Sequence, residues 1–546
     1  MTRSYRIDQI THALAPICAL LLLSAAVCRA SEPADLGNLD FPNSGAPEAQ
    51  EDFTRGVLLL HSFEFEDAGE AFAEARKIDP EFAMAHWGEA MTHNHPLWRR
   101  QDREAALEVL ALYAPSAGER AAKAPTERER GYLEAVDVLF AASGDKPSRD
   151  HAYSEAMGKL SARYPQDLEA KAFYALSILG TSQGERDFRI YMRAAAVAEE
   201  VFAVNPRHPG AAHYLIHSYD DPVHAPLGLR AARVYAGIAP AASHAQHMIS
   251  HIFVALGRWE ESVQSNINAY EVSKKRREKK RLAPDAVNYH ALRWLQYSYL
   301  QLGLIEDARD ILDKMSGLAR ESQSDRALWY YATMRGMWGV EAPDEDIPPP
   351  LDYESLDSEG VTQDLFASGY RALRAGEGEI ARAHLAEIRE RLEAHRTKLS
   401  EGESLSDGSA GHTALKKATV LELSLAALVA LDAGEETDAL RLLDEATDLE
   451  SSLPLEFGPP DIIKPSHELY GEVLLGLDRP EEAARMFEAA LDRAPRRTAS
   501  LFGLAEAARG LASPGRDGSL ARACTELEEN TAGGVLAERA RTLCAG

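Results

Sequence analysis

Small and bulky apolar positions recur along this chain at fixed offsets, and the pattern predicts helices. Gly56 is followed by Ala68, Phe72, Ala75 and Pro80 at offsets of 12, 16, 19 and 24, and Gly471 by Ala483, Phe487, Ala490 and Pro495 at the same four. Weaker copies run through Gly369, Ala381, Leu385 and Ile388, and through Ala427, Ala439, Leu443 and Ala446. Pro206 and Pro240 stand 34 residues apart. Gly and Ala let two antiparallel helices approach closely, Phe fills the gap between hairpins, and Pro breaks the chain before the next helix. Gly257, Gly303, Gly376 and Gly434 each fall between the two helices of a hairpin. The expected fold is all-α, an α-α superhelix of stacked hairpins. Strand-like alternation and Asn-Gly hairpin signals are missing, so little or no sheet is expected.

Chain breakers set the organisation. Residues 31–50 read as a polar leader and 51–340 as a first solenoid block. An acidic, Pro-rich linker spans 341–361 and contains DIPPPLD; 362–546 form a second block. A polar loop at Ser400 to Gly411 and a Pro-rich turn at Pro454 to Pro465 interrupt that block. At 546 residues, 45% hydrophobic and 27% charged, the chain exceeds the usual size of one core. A solenoid escapes that limit because each hairpin contacts only its neighbours.

The N-terminus carries an address. Arg3 and Arg6 precede the apolar stretch Ala13 to Val27, and Cys-Arg-Ala ends at Ala30. Residues 1–30 therefore read as a signal peptide, which implies a periplasmic or extracellular protein. An apolar stretch of about fifteen residues is short for a membrane span, and no other stretch is apolar enough. Lipid anchoring at Cys28 is disfavoured by the bulk of Val27. Removing Cys18 and Cys28 leaves Cys524 and Cys544, an even pair that an oxidising compartment would join as a staple on the last helices; two separate buried thiols are the alternative. A net charge of −27 argues against nucleic acid. The basic run from Lys274 to Arg281 reads as a solvated helix end in preference to a site for an anionic surface.

The strings RGVLLLHSFEFEDAGEAFAEARKIDP, HWGEAMTHNHPLW, HYLIHSYDDPVHAPLGLRAA, HAQHMISHIFVALGRWE and KPSHELYGEVLL resemble a group of exported bacterial tetratricopeptide-repeat proteins. The resemblance implies a fold and a shared His-rich face, and it supplies no catalytic residues. In such solenoids the first helix of each hairpin lines the concave groove, with its second, fifth, ninth and twelfth residues inward. Counted that way, the groove receives His213, His217 and Asp220, then His244, His247 and His251, then His290, Arg293 and Tyr297. Spacings of three, four or seven put each set on one helix face.

Two functional readings follow. In the first, the groove binds a protein or peptide through mixed donors and acceptors, as an exported scaffold. In the second, His213, His217, His247 and His251 hold a transition metal, since neutral imidazoles suit Zn, Cu, Fe or Ni. Asp220 or Asp221 would then ligate directly or orient a histidine from behind. A structural role for some of these histidines is the third possibility. His61, His86, His93 and His95 form another group, in which His61 and His95 are expected to face one another as packing. No phosphate-binding loop, dinucleotide fingerprint, CxxC, nucleophile elbow or zincin string occurs, so no named reaction is indicated.

Overall fold

A computed structural model describes residues 35–182, 186–353, 356, 358–400, 408–511, 515–531 and 534–545. The expected signal peptide, with Cys18 and Cys28, and most of the polar loop after Ser400 lie outside these residues. The described residues form twenty-five α-helices. Their one sheet is a short antiparallel ladder of Asn94–His95 with Arg100–Gln101. The protein is an α-α superhelix of tetratricopeptide-like hairpins.

The repeat offsets have a direct physical meaning. A Cβ on Gly56 would lie 2.8 Å from the Phe72 ring, and one on Gly88, in the next hairpin, 2.3 Å. Phe487 stands in the same way between Gly471 and Gly503, where added Cβ atoms would lie 2.7 and 2.2 Å from its ring. Each phenylalanine is a fully buried wedge that joins its own hairpin to the following one. Truncating such a wedge to alanine costs about 3–5 kcal/mol. Gly303, with φ +74°, closes the turn between the helices Tyr289–Leu302 and Ile305–Ser322, in a conformation that side chains other than glycine adopt at a cost.

The superhelix curls far enough for its first hairpin to meet helices two hundred positions later. Arg276 pairs with Glu66 and Asp67, and Lys280 with Asp67 and Glu70. Lys274 and Arg277 pair with Glu271 and Glu321. Arg276, Arg277 and Lys280 of the basic run thus clasp segments distant in sequence, while Lys274 pairs within its own helix. The leader is also drawn in. Leu36 and Phe41 are buried, and the Phe41 ring lies 5.2 Å from Tyr132 and 5.4 Å from Phe53.

Two hydrophobic cores run along the chain, Leu36 to Phe253 and Val254 to Ala540. They meet within the helix Ser243–Ala255, well before the Pro-rich stretch after residue 341. That stretch is tied to the preceding helix: Trp338 Nε1 donates to the Asp346 carbonyl at 3.1 Å, and Tyr331 Oη to that of Pro349 at 2.8 Å. Cys524 and Cys544 are disulfide-bonded and join the last two helices. Among the described residues, no helix is long and apolar enough to cross a membrane.

Candidate metal centre

Three helices carry the histidines. Pro209–Tyr219 presents His213 and His217, Ser243–Ala255 presents His244, His247 and His251, and Tyr289–Leu302 presents His290. Superhelical curvature brings the end of the first helix, at His61, against the first of these; a Cβ on Gly210 would lie 2.3 Å from His61 Nδ1.

The side chains converge in two groups of three. His213 Nε2 lies 3.0 Å from His217 Nε2 and 3.1 Å from His244 Nε2. His247 Nε2 lies 3.1 Å from His251 Nε2, with His290 completing that group. Within each group the ligand atoms lie within 4.8 Å of one another. The four histidines expected to share one site are therefore divided between two, and each pair gains a third member.

Hydrogen bonds at the far side of three of the rings decide where their Nδ1 protons go. His213 Nδ1–H donates to the His61 carbonyl at 2.7 Å. His251 Nδ1–H donates to Asp220 Oδ2 at 2.6 Å. His247 Nδ1–H donates to Asn266 Oδ1 at 2.7 Å, and Asn266 Nδ2 is turned away to the Ser262 carbonyl. In its neutral form each of these three rings holds its proton on Nδ1, which leaves Nε2 with a lone pair. With both rings in that form, the Nε2 lone pairs of His247 and His251 face each other at 3.1 Å, a contact that a cation between them relieves. This is the arrangement metal-ligating histidines adopt, with an outer acceptor fixing the ring. Tetrahedral zinc with Zn–N bonds near 2.0–2.1 Å sets nitrogens roughly 3.3 Å apart, close to the spacing here.

Five of the six rings are held neutral by their surroundings. Burial above all, with neighbouring imidazoles adding to it, pushes His213 and His290 down to about 3. It holds His217, His244 and His247 well below the ordinary histidine value. Aromatic faces fix the rings: Phe63 stands 4.3 Å from His213, and Trp294 4.4 Å from His251 and 4.8 Å from His247. His217, His244 and His290 keep partial exposure and form the rim.

A third group, His61, Glu169 and His208, has similar ingredients and different chemistry. His61 and His208 donate through Nε2 to the two oxygens of Glu169 at 2.7 and 3.0 Å. Their Nδ1 atoms accept from Tyr214 Oη and the Ala211 N–H. Every lone pair that could ligate is already used, so this buried network is a brace behind His213. Burial pushes Glu169 upward, but its contacts with the His208 and His61 imidazoles outweigh it and hold the carboxyl at about 2. His95 does not meet His61. It lies in the short ladder, stacked 4.0 Å from Phe65. Proline shortened the preceding helix, which ends at Met91.

The remaining groove residues face elsewhere. Arg293 donates to Asp461 at 2.8 Å, and Tyr297 Oη accepts from the buried Arg497 at 3.2 Å. Asp221 is held by Arg186 and His224. Sequence reasoning missed Asn266, on the second helix of its hairpin, and the strap formed by residues 452–465. Gly458 of that strap lies against Trp294, where a Cβ would be 2.0 Å from the ring.

No protein-family model and no curated protein matches this chain. Among solved structures it is similar to Ypp1 at 13% identity, covering 91% of this chain and 78% of that one, with a TM-score of 0.38. It is similar to yeast Tom70 at 13% identity over 91% and 95% of the two chains, with a TM-score of 0.26. The Cut9–Hcn1 hetero-tetramer of APC/C gives 10% identity, 93% and 79% coverage and a TM-score of 0.31. These superpositions are loose and bear on no function; the solenoid stands on its own hairpins and wedges.

Proposed function

We propose that this protein is an exported helical scaffold whose concave histidine face holds transition-metal ions, Zn, Cu, Fe or Ni by donor type. Export rests on the signal-peptide pattern of residues 1–30 and on the Cys524–Cys544 bond, which suits an oxidising compartment. The observation that carries the metal reading is the convergence of His247 and His251 Nε2 with His290, the first two rings pinned from behind by Asn266 and Asp220. A peptide-binding groove would instead string its polar groups along the surface. Here His213, His247 and His251 are buried and aimed at one another. No reaction is assigned.

Metal content by mass spectrometry on untagged mature protein tests this, beside a His213→Ala/His247→Ala variant. Near-stoichiometric metal in the parent, lost in a variant that still unfolds cooperatively, is the expected result. Protein that stays metal-free after reconstitution with each of the four metals would overturn the reading.

A further inference from the structure

We infer that the two three-histidine clusters form one dinuclear centre, which takes a small bridging anion of the hydroxide or azide type between its ions. The inference rests on the metal-binding reading above and deepens it.

Proximity is the first argument. The His217 and His251 rings lie 6.0 Å apart across the clusters, and His244 and His247 6.4 Å. Inside the clusters the ring separations are 4.8 Å for His213–His217 and 5.0 Å for His247–His251. The gap between clusters is barely wider than the gaps within them. An ion bound in line with Nε2 sits roughly 3 Å from its ring centre, so ions on rings this close come within reach of one shared ligand, as in two-metal sites. One helix, Ser243–Ala255, supplies His244 to the first cluster and His247 with His251 to the second, so its rigid spacing fixes both.

Charge is the second argument. Each cluster offers three imidazole nitrogens, and no carboxylate belongs to either among the described residues. Two divalent ions would bring four positive charges into a buried place, where unpaired charge is strongly disfavoured. The nearby carboxylates are committed. Asp220 accepts from His251, Asp221 is held by Arg186, and Asp461 by Arg293 and Lys417. Glu64 turns to the backbone N–H of His244. Three donors also leave each ion short of four-coordination. An anion from solvent, placed between the ions, supplies both the missing charge and the missing ligand. Phe63 and Trp294 stand against the two clusters, and Gly458 of the strap backs Trp294, so a small anion fits this setting.

The test is reconstitution of the full mature chain with Cu(II), read by metal analysis, electron paramagnetic resonance and azide titration. Two coppers per chain, a resonance intensity far below two independent spins, and a new absorption band saturating at one azide per chain are expected. His290→Gln and His244→Gln, one in each cluster, should each restore the full signal of an isolated copper. Two coppers with full spin intensity and no response to azide would overturn the dinuclear centre, as would a single copper per chain, and both would leave the metal-binding reading standing. A chain that binds no metal would remove that reading itself.

Discussion

Replacing Asp220 by asparagine probes the tautomer argument at one atom. Asp220 Oδ2 accepts the Nδ1 proton of His251 at 2.6 Å, from a side chain that is only 2% exposed. Asparagine keeps the size and one acceptor oxygen but removes the charge. A charge-assisted bond becomes a neutral one, which weakens it by roughly 1 kcal/mol and makes Nε2 a poorer donor. Outer-shell partners of this kind change metal affinity about 10- to 100-fold, which corresponds to roughly 1.4–2.8 kcal/mol. The expected result is a loss in that range at the His247–His251–His290 cluster, measured by competition with a chelator. The His213 cluster, anchored by a backbone carbonyl, serves as the internal reference and should lose less. The metal-free protein should lose no more than about 1 kcal/mol in urea unfolding. Unchanged metal affinity with a destabilised metal-free fold would mean that Asp220 only ties down the end of its helix, and the argument from ring orientation would fail.

Three other perturbations have definite outcomes. Gly458→Ala places a methyl 2.0 Å from Trp294 at a residue with φ +80°, so left-handed strain and overpacking together should cost roughly 2–5 kcal/mol and speed metal loss to a chelator; parent-like release would show that the strap does not cover the site. Reducing Cys524–Cys544, which are 20 residues apart, should remove about 3 kcal/mol from the last two helices, seen as faster amide exchange confined to them; unchanged exchange would refute it. Burial pushes Asp364 up to about 6 despite its pairing with Arg335, so the folded state holds a proton that the unfolded state releases; stability should fall by on the order of 3 kcal/mol as pH rises from about 4 to 6, and a parent-minus-Asp364→Asn difference curve that is flat there would contradict it.

What the sequence could reveal was set by the range of the interactions. Phe72 and Phe487 were legible because a wedge between consecutive hairpins imposes fixed offsets on a single stretch of chain. The histidine face was legible for the same reason, since spacings of three, four and seven are local to one helix. The partition into two clusters was not. It depends on how far Pro209–Tyr219 and Tyr289–Leu302 are rotated about Ser243–Ala255, and that rotation sends His244 toward His213 while His247 and His251 turn toward His290. His61 was read as a partner of His95 by equivalence of repeat position. Its actual partners, Glu169, Tyr214 and, through its carbonyl, His213, come from segments more than a hundred residues away.

Composition alone could not have separated a candidate metal site from a structural brace either. His61, Glu169 and His208 hold two imidazoles and a carboxylate in contact, as a metal site would, yet each ring nitrogen is matched by a protein donor or acceptor. His247 and His251 are matched by acceptors at Nδ1 only, and their Nε2 atoms are turned toward one another. The difference lies in which ring nitrogen carries the proton. That is decided by Asn266 on a neighbouring helix and by Asp220 beyond the end of another, and both positions become meaningful only once the hairpins are stacked.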